Sequence, residues 1–349
     1  MGRLIRMAAW VVILAVLILS AFLFYYRKAD LRSSSGINTL EIVDLGGDKQ
    51  WVSIRGNDPA KPVLLFLHGG PGSANLAKLR LQVPVLEDHF IVVNWDQRGA
   101  GKSYHPWIDP RTLTLERFIN DGHLLTGVLK ERFHVDKIYL MGFSWGTIPG
   151  LSLAARYPED YHGYIGVGQI ADLSRGEERS LDWVMRAAEE DGNEIALSEL
   201  TSIDPGYYGV NWQDQLARER KWLLHYGGVY HTARSYDHEM KMLFSASEYS
   251  WINRAFWPMG STQSLKHLWP QIMSFRFPGT VDRVEIPIMF ISGRYDWNAP
   301  AELAEEYFQL LDAPAGKTFI WSEQAAHDVF YDEPDCLVQA VAAFSKGHR

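Results

Sequence analysis

The chain has 349 residues, of which 47% are hydrophobic and 22% charged, and its formal net charge is −8. That length suits one large domain with an insertion, or two domains, and the composition excludes a disordered chain. An acidic balance without a long basic run argues against nucleic acid as a partner, and the single cysteine, Cys336, excludes an intrachain disulfide and a cysteine-rich metal site.

Residues 1–6 read as a short N-terminal tail. Residues 7–26, from Met7 to Tyr26, are apolar apart from Ser20. A helix of that length covers about 30 Å, the thickness of a bilayer core. Trp10 near one end and Tyr25 and Tyr26 at the other suit the two interfaces. The competing readings are a cleaved signal peptide and a buried core helix. The stretch runs into Phe22, Phe24, Tyr25, Tyr26 and Arg27, where a signal peptide would carry small residues. The expectation is an uncleaved single-pass anchor that joins the chain to a lipid bilayer. Basic residues flank it on both sides, so orientation is weakly determined, with an extracytoplasmic catalytic domain preferred. Residues 27–38, with Ser33, Ser34, Ser35 and Gly36, read as a linker.

Residues 40–45 and 50–55 alternate apolar and polar residues around Gly46, Gly47 and Asp48, which predicts an antiparallel hairpin. Residues 62–67 and 90–95 are short buried strands, each followed at once by a glycine-bearing loop. Residues 114–133 predict an amphipathic helix with Thr114 as N-cap. Further strands are expected at 136–141 and 161–167, with a helix from Thr147 to the residues before Pro158. This repetition implies a mostly parallel sheet covered on both faces. The pattern breaks over 172–283, which is helical, rich in tryptophan and without a clear strand. It resumes with strands at 286–293 and 317–321 and helices at 301–311 and 334–344. The predicted organisation is therefore an α/β core over 39–171 and 284–349, interrupted by a helical cap over 172–283.

The chemistry centres on Gly142-Phe143-Ser144-Trp145-Gly146, a G-x-S-x-G sequence between a predicted strand and a predicted helix. A sharp turn there lifts the Ser144 hydroxyl clear of the sheet at a helix N-terminus. The Trp145 N–H is then placed to donate to a developing oxyanion. A serine hydroxyl needs an adjacent base, itself oriented by an acid. In chain order Ser, acid, His, the positions after the next strands are Asp296 and His327. Glu323, Asp328 and Asp332 compete for the acid, but they sit beside or beyond the histidine. The loop His68-Gly69-Gly70-Pro71-Gly72 follows the third strand and is expected to supply the second oxyanion donor, Gly70, with Gly69 behind it. His68 is read as fixing that loop, and Arg98 as bracing it through a buried ion pair or carbonyl contacts. His225, His231 and His238 fit no common metal-ligand spacing and are read as scattered surface histidines.

The motifs at 68–72, 95–103 (Trp-Asp-Gln-Arg-Gly-Ala-Gly-Lys-Ser) and 142–147 together resemble the prolyl iminopeptidase (prolyl aminopeptidase) family of α/β-hydrolases. The resemblance spans about 40–172 well and about 285–349 moderately. It implies the α/β-hydrolase fold, a serine peptidase that removes an N-terminal residue from short peptides under a helical cap, and no metal or organic cofactor. It carries Ser144, Asp296 and His327 over as the triad and Gly70 and Trp145 as oxyanion donors. It also implies cap glutamates that hold the substrate's free amine. The cap has no Trp-Glu dipeptide, so Glu248, and behind it Glu219, are the candidates. An esterase or lipase-like hydrolase of apolar acyl esters is the alternative, and a non-catalytic binding protein on a hydrolase fold is a third.

Overall fold

The computed structural model describes residues 29–30, 36–204 and 211–348. The expected anchor at 7–26 lies outside them. Among the described residues no helix is long and apolar enough to cross a membrane.

The strands are β1 (Ile37–Leu45), β2 (Asp48–Gly56), β3 (Val63–Leu67), β4 (Ile91–Asp96), β5 (Ile138–Phe143), β6 (Tyr161–Val167), β7 (Ile288–Gly293) and β8 (Lys317–Ser322). Among the described residues they form, with the two-residue edge strand Ala29–Asp30, one nine-stranded sheet, ordered Ala29–Asp30, β1, β2, β4, β3, β5, β6, β7, β8. β1 and β2 make the expected hairpin, with Leu45 opposite Asp48 across the Gly46-Gly47 turn. β2 also pairs antiparallel to β4, and every later pair is parallel. β3, β4, β5 and β7 are buried at every position, as strands covered on both faces must be.

The helices follow from local signals. α1 (Lys78–Gln82) follows the glycine-rich loop after β3. α2 (Leu115–Phe133) starts where the Thr114 side chain accepts from the Arg117 N–H. α3 (Thr147–Arg156) leaves the β5 turn and ends before Pro158. Between β6 and β7 come α4 (Leu173–Glu190), α5 (Glu194–Leu200), α6 (Trp212–Tyr226), α7 (Asp237–Ser245) and α8 (Trp251–Ile272). α9 (Ala301–Leu310), α10 (Val329–Asp332) and α11 (Pro334–Gly347) complete the chain. The helical insertion is tied off at its neck, where Asp172 bridges Arg276 and the Phe277 N–H donates to the Ala171 carbonyl at 2.8 Å.

The insertion is fastened to the core by polar contacts at the carboxyl end of β4. The Tyr249 hydroxyl lies 2.8 and 2.9 Å from the two carboxylate oxygens of Asp96 and accepts from the Leu76 N–H at 2.9 Å. Lys102 Nζ donates to Asn253 Oδ1 at 3.2 Å. Asp96 and Lys102 are both buried, which lifts the Asp96 carboxyl to about 7 and lowers the Lys102 ammonium to about 8. The insertion therefore roofs the carboxyl ends of the parallel strands, where ligands of such sheets gather.

Candidate active site

At the end of β5 the backbone turns directly into a helical turn over Ser144–Gly146 and then into α3. Ser144 has φ 53°, a left-handed conformation that a residue with a side chain holds only at a cost of about 1–3 kcal/mol. The flanking glycines make the turn possible. A Cβ on Gly142 would lie 2.5 Å from the Gly146 carbonyl oxygen, and one on Gly146 would lie 2.2 Å from that of Leu67. Neither contact is sterically accessible, so both positions demand glycine. Trp145 stands in the first helical turn, where backbone N–H groups have no acceptor within the helix.

Asp296 follows β7 and His327 follows β8. Asp296 Oδ2 accepts from His327 Nδ1 at 2.8 Å, and its Oδ1 accepts from the Ala299 N–H at 2.8 Å. Both residues are buried. With Nδ1 donating to a carboxylate, the other ring nitrogen of a neutral His327 is left as a base. The histidine loop is also held from the insertion: the His327 N–H donates to the Val229 carbonyl at 3.0 Å. Gly168, unnoticed in the sequence, has φ +57°, and a Cβ there would meet His327 Cε1 at 2.9 Å, so any side chain would displace the ring. The rival acids are engaged elsewhere. Glu323 pairs with exposed Arg294, Asp328 pairs with Lys78 at 2.6 Å, and Asp332 accepts from the Ala326 and His231 N–H groups.

The loop after β3 places Gly69 and Gly70 on the wall of the cavity that Ser144, Trp145 and His327 also line. His68 holds this loop, as expected, with Nδ1 on the Gly69 carbonyl at 2.7 Å and Nε2 accepting from the Gln97 N–H at 3.2 Å. Burial lowers its pKa to about 4, which keeps the ring neutral and suits one donating and one accepting nitrogen. The bracing role expected of Arg98 falls to its neighbour. Gln97 Nε2 donates to the His68 carbonyl at 3.3 Å, and Gln97 Oε1 accepts from Trp145 Nε1 at 2.9 Å, linking the loop to the serine turn. Arg98 instead turns the other way, onto Asp121 at 2.7 and 3.0 Å and the Leu45 carbonyl at 2.8 Å. It locks the β1–β2 hairpin to α2.

The cavity has a volume of about 520 Å³ and lies between the core and the insertion. Its apolar wall includes Met240, Met242, Leu243, Trp257 and Leu265. The expected amine anchor, Glu248, is not on that wall. Its carboxylate is gripped by Arg80 at 2.8 and 3.0 Å, because the turn between α7 and α8 folds down on α1. Glu219 is fully buried behind the cavity, accepting from Ser180 Oγ at 2.5 Å and paired with Arg220. Three carboxylates do reach the cavity, Glu177 on α4, Glu239 on α7 and Asp328 beside His327, and of these Glu177 is the one on the α4 side. Its Oε1 accepts from Arg220 at 2.5 Å, its Oε2 is buried without a hydrogen-bond partner, and the residue is 1% exposed. Desolvation by burial raises its pKa to about 7 against the opposing pull of Arg220, and the Glu219 charge adds to the rise. Sequence reasoning missed Glu177 because it sits in an ordinary charged run, Arg175-Gly176-Glu177-Glu178-Arg179.

Known proteins agree with this architecture. The family described as alpha/beta hydrolase fold matches residues 62–334. A probable aminopeptidase, YbaC, of Bacillus subtilis (strain 168) is 32% identical over 313 residues, covering 89% of this chain and 98% of its own. A proline iminopeptidase of Lactobacillus crispatus (strain ST1) is 24% identical over 327 residues, covering 86% and 96%. Among solved structures, the proline iminopeptidase of Mycobacterium smegmatis superposes with a TM-score of 0.64 at 18% identity, covering 88% of this chain and 98% of its own, a likeness of fold alone. The chain belongs to the alpha/beta hydrolase family, with aminopeptidase and proline iminopeptidase-like homologues.

Proposed function

We propose that this protein is a serine aminopeptidase that releases an N-terminal residue, in the manner of a proline iminopeptidase, from short peptides. The single observation that carries the reading is Glu177: a buried carboxylate with one free oxygen, on the wall of the cavity that Ser144 lines. A substrate ammonium is the group that would satisfy it, through a charge-assisted hydrogen bond in a dry site. In this reading Ser144 Oγ attacks the first peptide carbonyl while His327 takes its proton, and Asp296 stabilises the imidazolium. The N–H groups of Gly70 and Trp145 donate to the oxyanion. Collapse expels the leaving amine, which receives the proton from His327. Water, deprotonated by His327, then attacks the acyl carbonyl; the Ser144 oxygen leaves and takes the proton back from His327, which frees the amino acid and restores the enzyme.

The test is a matched pair of substrates, an aminoacyl arylamide and its N-acetyl derivative. The amide with the free amine should be strongly preferred, and equal kcat/KM for the two would overturn the reading. The apolar wall of the cavity favours a second reading, hydrolysis of apolar acyl esters. Fatty-acyl esters turning over far faster than either arylamide would establish it. We also propose that residues 7–26 anchor the protein as a single span with the catalytic domain on the extracytoplasmic side. The full-length chain should stay with membranes through a carbonate wash, and a soluble product beginning after Tyr26 would show a cleaved leader instead.

A further inference from the structure

We infer that His238, Glu239 and Asp328 form a binding site for a zinc-class divalent cation, built between the cap and the loop that carries His327, and that its occupancy shuts the cavity. His238 and Glu239 begin α7, and Asp328 directly follows His327. Their candidate ligand atoms all lie within 4.8 Å of one another. Two of the three residues carry an unmet bonding need. Asp328 is 2% exposed, and its Oδ1 has no hydrogen-bond partner. His238 Nε2 is likewise buried without a partner. A buried polar atom left unpaired has given up its hydrogen bonds to water without replacement, so both atoms gain from a ligand.

The surroundings orient the donors. Lys78 Nζ holds Asp328 Oδ2 at 2.6 Å, which leaves Oδ1 as the free oxygen. The His238 ring is stacked on Tyr331 at 3.8 Å and meets Tyr230 edge-on at 4.5 Å. Asp332 is occupied by backbone N–H groups and the Thr232 hydroxyl, so it stays out of the ligand set. The charges facing the site are Glu239, Asp328 and Asp332 against Lys78, a balance that attracts a cation.

The ligand chemistry selects the cation. One imidazole and two carboxylates, with a water in the fourth position, suit Zn²⁺. Ca²⁺ and Mg²⁺ prefer all-oxygen sets and gain little from a histidine. Glu239 and Asp328 both line the cavity that Ser144 and His327 line. A cation bridging them would pin α7 to the histidine loop and fill space that a substrate needs. Binding stands on the three side chains alone, whereas the inhibitory consequence rests on the proposed role of Ser144.

The experiment titrates ZnCl₂ into the full chain, stripped of metal with a chelator, by calorimetry, and then substitutes Co²⁺ to read the ligand field in the visible. Wild type should bind one equivalent, with Co²⁺ giving the intense bands of a four-coordinate site. His238→Phe keeps the ring stack and removes the nitrogens. It should weaken Zn²⁺ binding at least tenfold, and Glu239→Gln should do the same without touching the stack. Hydrolysis by wild type should fall with an inhibition constant that follows the calorimetric affinity. No binding by wild type, or equal binding by both variants, would overturn the site. Binding that depends on His238 and Glu239 without inhibition would leave the site standing and overturn its closing role. A chain with no hydrolytic activity on any substrate would overturn the proposed function while calorimetry still decided the site.

Discussion

The two walls of the cavity are built by different means. On the core wall, backbone geometry places the groups. Ser144 is set by the turn from β5 into α3, Asp296 and His327 by the ends of β7 and β8, and Gly70 by the loop after β3. On the cap wall, side chains place one another. Glu177 is held by Arg220, which Glu219 also holds, and Glu219 takes a hydrogen bond from Ser180. Glu248 is drawn off the wall by Arg80. A core position thus tolerates only what its turn allows, whereas a cap position depends on which partner the fold delivers. In the proposed reading the core wall sets the reaction type and the cap wall chooses among substrates, since a shared fold does not fix the substrate.

The sharpest break would come at the serine. Ser144→Ala should abolish turnover, a loss on the order of 10⁶-fold by comparison with well-studied serine proteases. A fluorophosphonate probe should label wild type at Ser144 and leave the variant unlabelled. Persistent labelling would move the nucleophile elsewhere.

Asp296→Asn should keep the fold and lower kcat on the order of 10⁴-fold, because the carboxylate no longer fixes the histidine tautomer. Activity within a few-fold of wild type would transfer the role to another acid.

On the cap wall the expected loss is smaller and selective. Glu177→Gln should lower kcat/KM for an aminoacyl arylamide about 30- to 1000-fold, equivalent to about 2–4 kcal/mol of charge pairing, and spare a neutral ester. The carboxylate is ionised above about 7 and protonated below it. The amide-to-ester ratio of kcat/KM should therefore fall as the pH drops through that value in wild type and stay flat in Glu177→Gln. A flat ratio in wild type would detach Glu177 from amine recognition.

The smallest effect should follow Glu248→Gln. It weakens the pair with Arg80 but leaves the cavity intact, so substrate preference should hold. The melting temperature should drop, by about 2–4 °C per kcal/mol lost in a domain of a few hundred residues. A changed amide-to-ester ratio would restore Glu248 to the substrate site.

The core was legible because its signals are local. The G-x-S-x-G turn, the apolar strand runs and the Thr114 cap each act within a few residues, and the structure places strands and helices where those patterns lie. Arg98 was misassigned for a related reason. Its charge marks a buried pair, but the direction it faces depends on Asp121 and the Leu45 carbonyl, both distant in sequence. Glu177 and Glu248 look alike as letters. Only packing leaves one with a free oxygen in a cavity and the other clamped by an arginine 168 residues away. His238 fitted no ligand spacing in the sequence, and its neighbour Asp328 comes from the core loop after β8, 90 residues further along the chain.

By itself, then, the amino-acid order determined the strand–helix alternation, the strained turn at Ser144, the chain order in which Ser144, Asp296 and His327 follow their strands, and the run of helices between β6 and β7. These follow from short-range sterics and from apolar periodicity, which few neighbouring residues suffice to set. Tertiary structure alone decided which carboxylates face the cavity, which are neutralised by arginine or lysine, and which donors on the cap meet donors on the core. Those outcomes depend on side chains brought together from distant parts of the chain, and a buried charge takes its character from its desolvation and from all the partners packed against it.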